Sequence, residues 1–151
     1  MKRTRLAPKD TAKLLTEYNV QLTKNDEVEL VEDEYRLIFI NKQPAFFYYQ
    51  EKVLPTLKYL QTNNLLKKIT IDMGAVKFMI NGADLMKPGI TDVDAEIKEQ
   101  EIIVLVDQNN KKPLALGIAL FNSEQIKSMT HGKVTKNIHY VGDKIWNFSL
   151  K

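Results

Sequence analysis

Residues 72–90 read DMGAVKFMINGADLMKPGI, a short helical segment held between two glycine-containing bends. Gly74 opens the segment, and Ala75, Val76, Phe78, Met79 and Ile80 supply apolar contacts. Asn81-Gly82 is a natural stop, because glycine reaches the left-handed conformation at little cost. Six residues on, Pro88-Gly89 has the composition of a type II turn, with proline at the first central position and glycine at the position of positive φ. The two bends bracket residues 83–87, a stretch whose backbone is expected to come close to another molecule.

The chain beyond this helix is rich in strand signals. Ile69 and Ile71 mark a strand before it. Residues 102–106 form a continuous apolar run, as in a strand buried on both faces, and 108–112 is a polar turn. In residues 113–121 the large Leu114, Leu116, Ile118 and Leu120 alternate with Ala115, Gly117 and Ala119, so one face is nearly bare and lets another element approach. Ser123 is expected to cap a helix carrying Ile126 and Met129, ended by His131-Gly132. A closing hairpin is expected over 134–141 and 144–150, turned at Gly142-Asp143. Many short strands with glycine turns suggest a small closed or half-closed barrel covered by two helices.

Upstream, the basic residues Lys2, Arg3 and Arg5 are expected to lie in a solvated tail. Pro8, Asp10 and Thr11 start a helix expected over 9–19, with Leu14, Leu15 and Tyr18 on one face. Three strands in a meander follow, around Val28 and Leu30, around Tyr35 to Phe39, and over 45–49. The adjacent Phe46, Phe47, Tyr48 and Tyr49 must point to both faces of their strand, which suits core or partner-facing packing better than base stacking. A second helix is expected from Val53 through Leu60, with Pro55 in its first turn. The fold class is α+β, with residues 1–67 a small α/β N-terminal domain and residues 68–151 a β-rich domain with two short helices.

Composition narrows function mainly by exclusion. The 151 residues are 44% hydrophobic, ordinary for a globular domain. Apolar runs fall far short of the ~20 residues of a spanning helix. The basic start is followed by Pro8, Lys9 and Asp10 in place of an apolar signal segment, so a cytoplasmic location is expected. There is no cysteine, hence no disulfide, thiolate chemistry or cysteine-bound zinc. Phosphate-binding loops, dinucleotide fingerprints, HExxH and nucleophile-elbow patterns are absent. His131 and His139 lack an adjacent carboxylate pattern for a metal, and Asp92 and Asp94 lie in an expected loop. No catalytic residue, metal or cofactor is assigned.

With 22 basic and 19 acidic residues the net charge is +3, so a nucleic-acid surface must be a local patch. The candidates are Lys77 on the helix, Lys87 at the loop exit, and Lys133, Lys136, Lys144 and Lys151 toward the C-terminus. Tight glycine bends and helix ends expose backbone amides that suit phosphates, and the lysines add charge.

On these residues the segment from Lys68 onward resembles a PUA domain, the RNA-binding module of pseudouridine synthases and archaeosine transglycosylases, at GAVKFMINGADLMKPGI. PTLKYL before it and NIHYVGDKIW near the end resemble the malignant T-cell-amplified-sequence family, as does the N-terminal half, which matches that family's pre-PUA domain. The family is related to the N-terminal part of ligatin. The resemblance implies a six-stranded PUA pseudobarrel and a non-enzymatic role in translation, ribosome-associated through the small subunit and engaging tRNA. It implies an RNA surface from Lys77, Asn81, Gly82, Ala83, Met86, Lys87, Pro88 and Gly89, with Lys144 nearby.

Three functions stay open at this point. The protein is an RNA-binding translation accessory factor contacting tRNA or rRNA, including a single-stranded 3′ end. Alternatively it is the RNA-targeting subunit of a separately encoded tRNA transglycosylase or pseudouridine synthase, or a scaffold working through its N-terminal sheet. In the first case the N-terminal domain is expected to dock the ribosomal or translation-factor partner, because its acids cluster over 26–34 and repel phosphate.

Overall fold

The computed structural model describes residues 1–150; Lys151 lies outside the described residues. The chain forms two compact units, one comprising Met1–Leu65 with the C-terminal residues from Phe148, the other Leu66–Asn147.

In the first unit the order is β1 (Lys2–Leu6), α1 (Pro8–Leu14), β2 (Val28–Glu32), β3 (Arg36–Ile40), β4 (Gln43–Tyr49), β5 (Lys52–Pro55) and α2 (Leu57–Leu60). The five strands pair antiparallel in sequence order. The expected meander is therefore present, extended by one strand at each edge. Alternation along β4 sends Phe46 into a core with Leu15, Val28, Ile38 and Ala45, while Phe47 is buried separately and Tyr48 and Tyr49 are half-buried. The rings of Tyr18 and Tyr59 tilt against Phe46 at centroid distances of 5.5 and 5.1 Å.

Three local expectations are corrected here. The basic N-terminus is an edge strand and not a solvated tail, because β2 places acids opposite it: Arg5 pairs with Glu29 in register, and the Arg3 guanidinium donates two 3.0 Å hydrogen bonds to the Glu29 carboxylate. The hydrogen bonds from Arg3 hold Glu29 below the usual carboxylate range, although its burial opposes them. The first helix stops at Leu14 and continues only as a 3-10 turn over Thr16–Tyr18, where Asn19 turns to φ 53°. There the Tyr18 hydroxyl donates to the Val53 carbonyl at 2.6 Å. Residues 53–55 belong to a strand and not to a second helix, since Val53 pairs with Tyr48 and Leu54 with Phe47. Pro55 is tolerated on that edge strand. Helix α2 starts only at Leu57, where the Thr56 hydroxyl accepts the Tyr59 N–H at 3.1 Å.

The second unit contains β6 (Lys68–Ile71), α3 (Met73–Met79), β7 (Leu85–Met86), β8 (Ile90–Val93), β9 (Ile102–Asp107), β10 (Pro113–Ala119), α4 (Ser123–Ser128) and β11 (Lys133–Tyr140). Its sheet runs β7-β11-β10-β9-β6-β8, and the β6–β9 pair is parallel. The two edge strands, β7 and β8, are consecutive in the chain and separated only by Lys87–Gly89. Four Cα steps from Met86 to Ile90 span at most about 15 Å, so this link draws the two edges of the sheet together. The result is a curled half-barrel whose closure is covalent. Its core gathers Ile69, Ile71, Met79, Leu85, Ile103, Leu105, Leu114, Ala115, Ala119, Ile126 and Val134.

The alternation of β10 faces the other way from the expected one: the small Ala115 and Ala119 line the core while Ile118 and Leu120 are only half-buried, and a Cβ at Gly117 would lie 3.0 Å from the Thr135 side chain, so glycine there permits the close approach of β11. Two other expectations change. The cap of α4 is Asn122, whose side chain accepts the Gln125 N–H while the Gln125 side chain accepts the Asn122 N–H. Ser123 is freed for a buried bridge, accepting the Ile97 N–H and donating to the Asp94 carbonyl, both at 2.7 Å. The closing hairpin does not form, because β11 ends at Tyr140 and the Asp143 carboxylate gathers the chain into turns by accepting the N–H groups of Tyr140 and Trp146.

Candidate nucleic-acid interface

The site is built where α3 ends. At the start of α3 the Asp72 carboxylate accepts the Ala75 N–H at 2.9 Å, while the Asp72 N–H donates to the Gly89 carbonyl, also at 2.9 Å. The two bends of the segment are thereby tied together. At its end, the Gly82 N–H donates to Met79 and the Ala83 N–H to Phe78, a Schellman termination. Gly82 has φ +87°, the positive value expected of it. The Tyr140 ring also lies against it, since a Cβ there would stand 2.9 Å from Tyr140 Cε1.

Gly89 departs from the expected type II geometry. Lys87–Gly89 is a 3-10 turn, and Gly89 is not among the glycines of positive φ. Glycine is needed for space instead, because a Cβ would come within 3.0 Å of the Ala75 Cβ.

Between α3 and the chain from Ala83 to Gly89 lies a groove of about 520 Å³ with mainly apolar walls, including Ala75, Phe78, Leu85, Met86 and Pro88. Large apolar side chains stand open here: Phe78 is 55% exposed and Met86 48%. Exposed apolar side chains gathered on one short segment make this groove the candidate binding surface. Of the residues singled out from sequence, Ala83, Met86, Pro88 and Gly89 line the groove. Asn81 and Gly82 form the turn beside it, with the Asn81 amide donating to the Lys77 carbonyl at 2.9 Å. The Lys77 ammonium lies 5.2 Å from the centroid of the Phe78 ring.

The lysines divide in their roles. The Lys87 ammonium donates to the Ile126 carbonyl at 2.6 Å, at the C-terminal end of α4, and its backbone N–H donates to Gly132 at 2.8 Å. A cation at that helix end satisfies orphan carbonyls and complements the helix dipole. Lys87→Met is therefore expected to lower stability by about 1 kcal/mol, read as a lower urea midpoint at unchanged m-value. Lys144 is exposed on the turn after β11. Lys133 reaches the Asp84 carboxylate at 3.0 Å.

Three residues that carry the site have no local sequence signal: Asp84, Asn137 and Tyr140. Burial pushes the Asp84 carboxyl up, but the Asn137 N–H at 2.8 Å and the nearby charges of Lys133 and Lys136 hold it below its ordinary range overall. Asp84 and Asn137 lie 53 positions apart in the chain, so only the pairing of β7 with β11 reveals them. An aromatic and thioether floor beside Lys77, Lys133 and Lys136 has the chemistry to stack flat apolar groups and to neutralise phosphates. No cluster of potential metal ligands occurs among the described residues.

A curled six-stranded sheet, a helix–loop groove and a basic border define a PUA module preceded by a small α/β unit. Residues 67–141 match the PUA domain model, and residues 9–63 match a domain of unknown function, DUF1947. An uncharacterized protein of Methanocaldococcus jannaschii is 45% identical, over 97% of this chain and 96% of its own. Translation machinery-associated protein 20 of Eremothecium gossypii is 36% identical, over 85% of this chain and 76% of its own. The crystal structure of a hypothetical protein from Pyrococcus horikoshii is similar with a TM-score of 0.81 at 32% identity, covering 97% of this chain and 98% of that one. The chain belongs to the PUA-domain family that includes translation machinery-associated protein 20 and malignant T-cell-amplified sequence 1.

Proposed function

We propose that the protein is a non-enzymatic RNA-binding factor of the translation machinery, taking an unpaired segment of tRNA or rRNA into the groove between α3 and the chain from Ala83 to Gly89. The observation that carries this reading is the open aromatic and thioether floor at Phe78 and Met86 beside Lys77 and Lys133. Duplex RNA hides its bases, whereas single strands offer them for stacking on such a surface. PUA membership and the names of the translation-associated relatives support RNA and translation as its setting. In this reading the protein works in the cytoplasm at the small ribosomal subunit, and the N-terminal unit contacts the protein partner.

Binding of a single-stranded RNA oligonucleotide tests this directly. If Lys77, Lys133 and Lys136 neutralise phosphates, log Kd against log salt has a slope of about 2, at roughly 0.7 per contact. Phe78→Ala is expected to weaken binding by about 1–3 kcal/mol without altering that slope. Equal affinity of the Phe78→Ala and native proteins for every single strand removes the groove from the reading. Native-extract fractionation tests the cellular setting, where co-sedimentation with small ribosomal subunits is expected, and recovery with an RNA-modifying enzyme alone would contradict it.

A further inference from the structure

We infer that Asn137, which stands on β11 outside the groove, is the positioning residue that sets the path of the chain from Gly82 to Leu85 and with it the shape of the RNA groove. Its importance for RNA rests on the function proposed above; its hold on the loop does not.

The pairing of β11 with β10 slips at this point. Leu116 faces His139, and the next residue, Gly117, faces Asn137, so Ile138 is an extra residue on β11. A bulge of this kind re-aims the neighbouring side chain. Asn137 is thereby turned toward the end of α3. Its amide donates to the Met79 carbonyl and to the Ala83 carbonyl, each at 3.1 Å, and its backbone N–H donates to the Asp84 carboxylate at 2.8 Å. One residue thus holds the last turn of α3, the residue after Gly82 and the acid that engages Lys133. The two β7–β11 pairs, Leu85 with Thr135 and Met86 with Lys133, then continue the same line.

The amide has one sensible orientation. Reversing it would place Oδ1 against two carbonyl oxygens, so both N–H groups face the loop. In that orientation Oδ1 is buried with no hydrogen-bond partner. An unsatisfied buried oxygen is unfavourable, and the two donors it accompanies are what the loop requires. Serine, threonine or aspartate at this position would not supply two fixed donors diverging to two carbonyls.

The experiment compares the full-length native protein with Asn137→Ala and Asn137→Asp, using a single-stranded RNA oligonucleotide and amide exchange at Gly82 and Ala83. Near neutral pH both variants are expected to lose about tenfold in affinity. Exchange at the two amides should accelerate relative to β9 and β10, and the salt slope should stay unchanged because the lysines remain. The aspartate variant adds a pH readout. Its carboxylate would face the Met79 and Ala83 carbonyls and the Asp84 carboxylate, with Lys133 and Lys136 of β11, Lys77 of α3 and the Tyr140 hydroxyl as the other titratable groups around it. Protonation toward about pH 5 returns one donor, so affinity and protection should recover partly in Asn137→Asp and not in Asn137→Ala.

Native affinity and native loop protection in folded Asn137→Ala would overturn the assignment. So would an aspartate variant whose loop protection fails to recover on acidification. Failure of the native protein to bind any single strand would sink the RNA reading instead. Faster loop exchange in the variants would then still establish the hold of Asn137 on the chain, and unchanged exchange would end that as well.

Discussion

Gly82→Val is expected to lower the stability of the protein by about 2–6 kcal/mol and to weaken RNA binding in whatever fraction stays folded. Two independent costs meet at this residue. At φ +87° a β-branched side chain is strained by about 1–3 kcal/mol. The new Cβ would also stand 2.9 Å from Tyr140 Cε1 and 3.3 Å from Cζ, and overpacking of that kind adds about 1–3 kcal/mol. Gly142 separates the two. Its φ is +96°, yet no heavy atom lies within 4 Å of a Cβ placed there, so Gly142→Ala reports backbone strain alone. Gly82→Ala should then destabilise more than Gly142→Ala in urea unfolding, by the cost of displacing the Tyr140 ring. Equal losses would mean that the ring moves aside freely and does not shape the turn.

The second large effect is expected at Asp143. Its carboxylate accepts the Tyr140 N–H at 3.0 Å and the Trp146 N–H at 2.9 Å, and lies 2.8 Å from the fully buried His139 Nδ1. Asp143→Ala leaves backbone donors without this acceptor and removes a carboxylate from the side of a buried imidazole. A loss of about 2–4 kcal/mol follows from the usual cost of stranded buried polar groups.

The pH dependence carries the same signature. Burial pushes the Asp143 carboxyl up, but the contact with His139 and the N–H groups of Trp146 and Tyr140 outweigh it, and the net shift is downward. A depressed folded-state value means that the stabilisation is complete above the unfolded value, about 3.9. It is lost as pH falls through the folded value. Asp84, held low by Asn137 and Lys133, adds to the same acid limb. Asp143→Asn should therefore show a shallower loss of stability below about pH 4 than the native protein, and an unchanged acid limb would show that Asp143 does not drive it.

What the sequence determined by itself is local. The helix over 73–79, its glycine stop, the strands at 68–71 and 102–107 and the three central strands of the first unit all rest on short-range chemistry: turn residues, caps and hydrophobic period. The stretch 72–90 supplies Ala83, Met86, Pro88 and Gly89 to the groove, whereas Phe78, read from sequence as a packing contact, stands open beside them. Where short-range signals misled, a distant partner had prevailed. The run from Val53 has helical spacing, yet β4 recruits it as an edge strand. Lys2, Arg3 and Arg5 look like a solvated tail until Glu29 and Glu27 are placed opposite them.

Tertiary structure alone decided what each side chain in the site is for. Lys87, conspicuous in the loop, lends its ammonium to the end of α4. Asn137 and Asp84, inconspicuous in the sequence, lock the loop to β11 through a bulge that no local pattern marks. Gly89 is required by the proximity of Ala75 and not by its own φ. The physical reason is common to all three: propensity and periodicity act over a few residues, whereas these contacts join positions from 14 to 53 apart and exist only once the chain has folded back on itself.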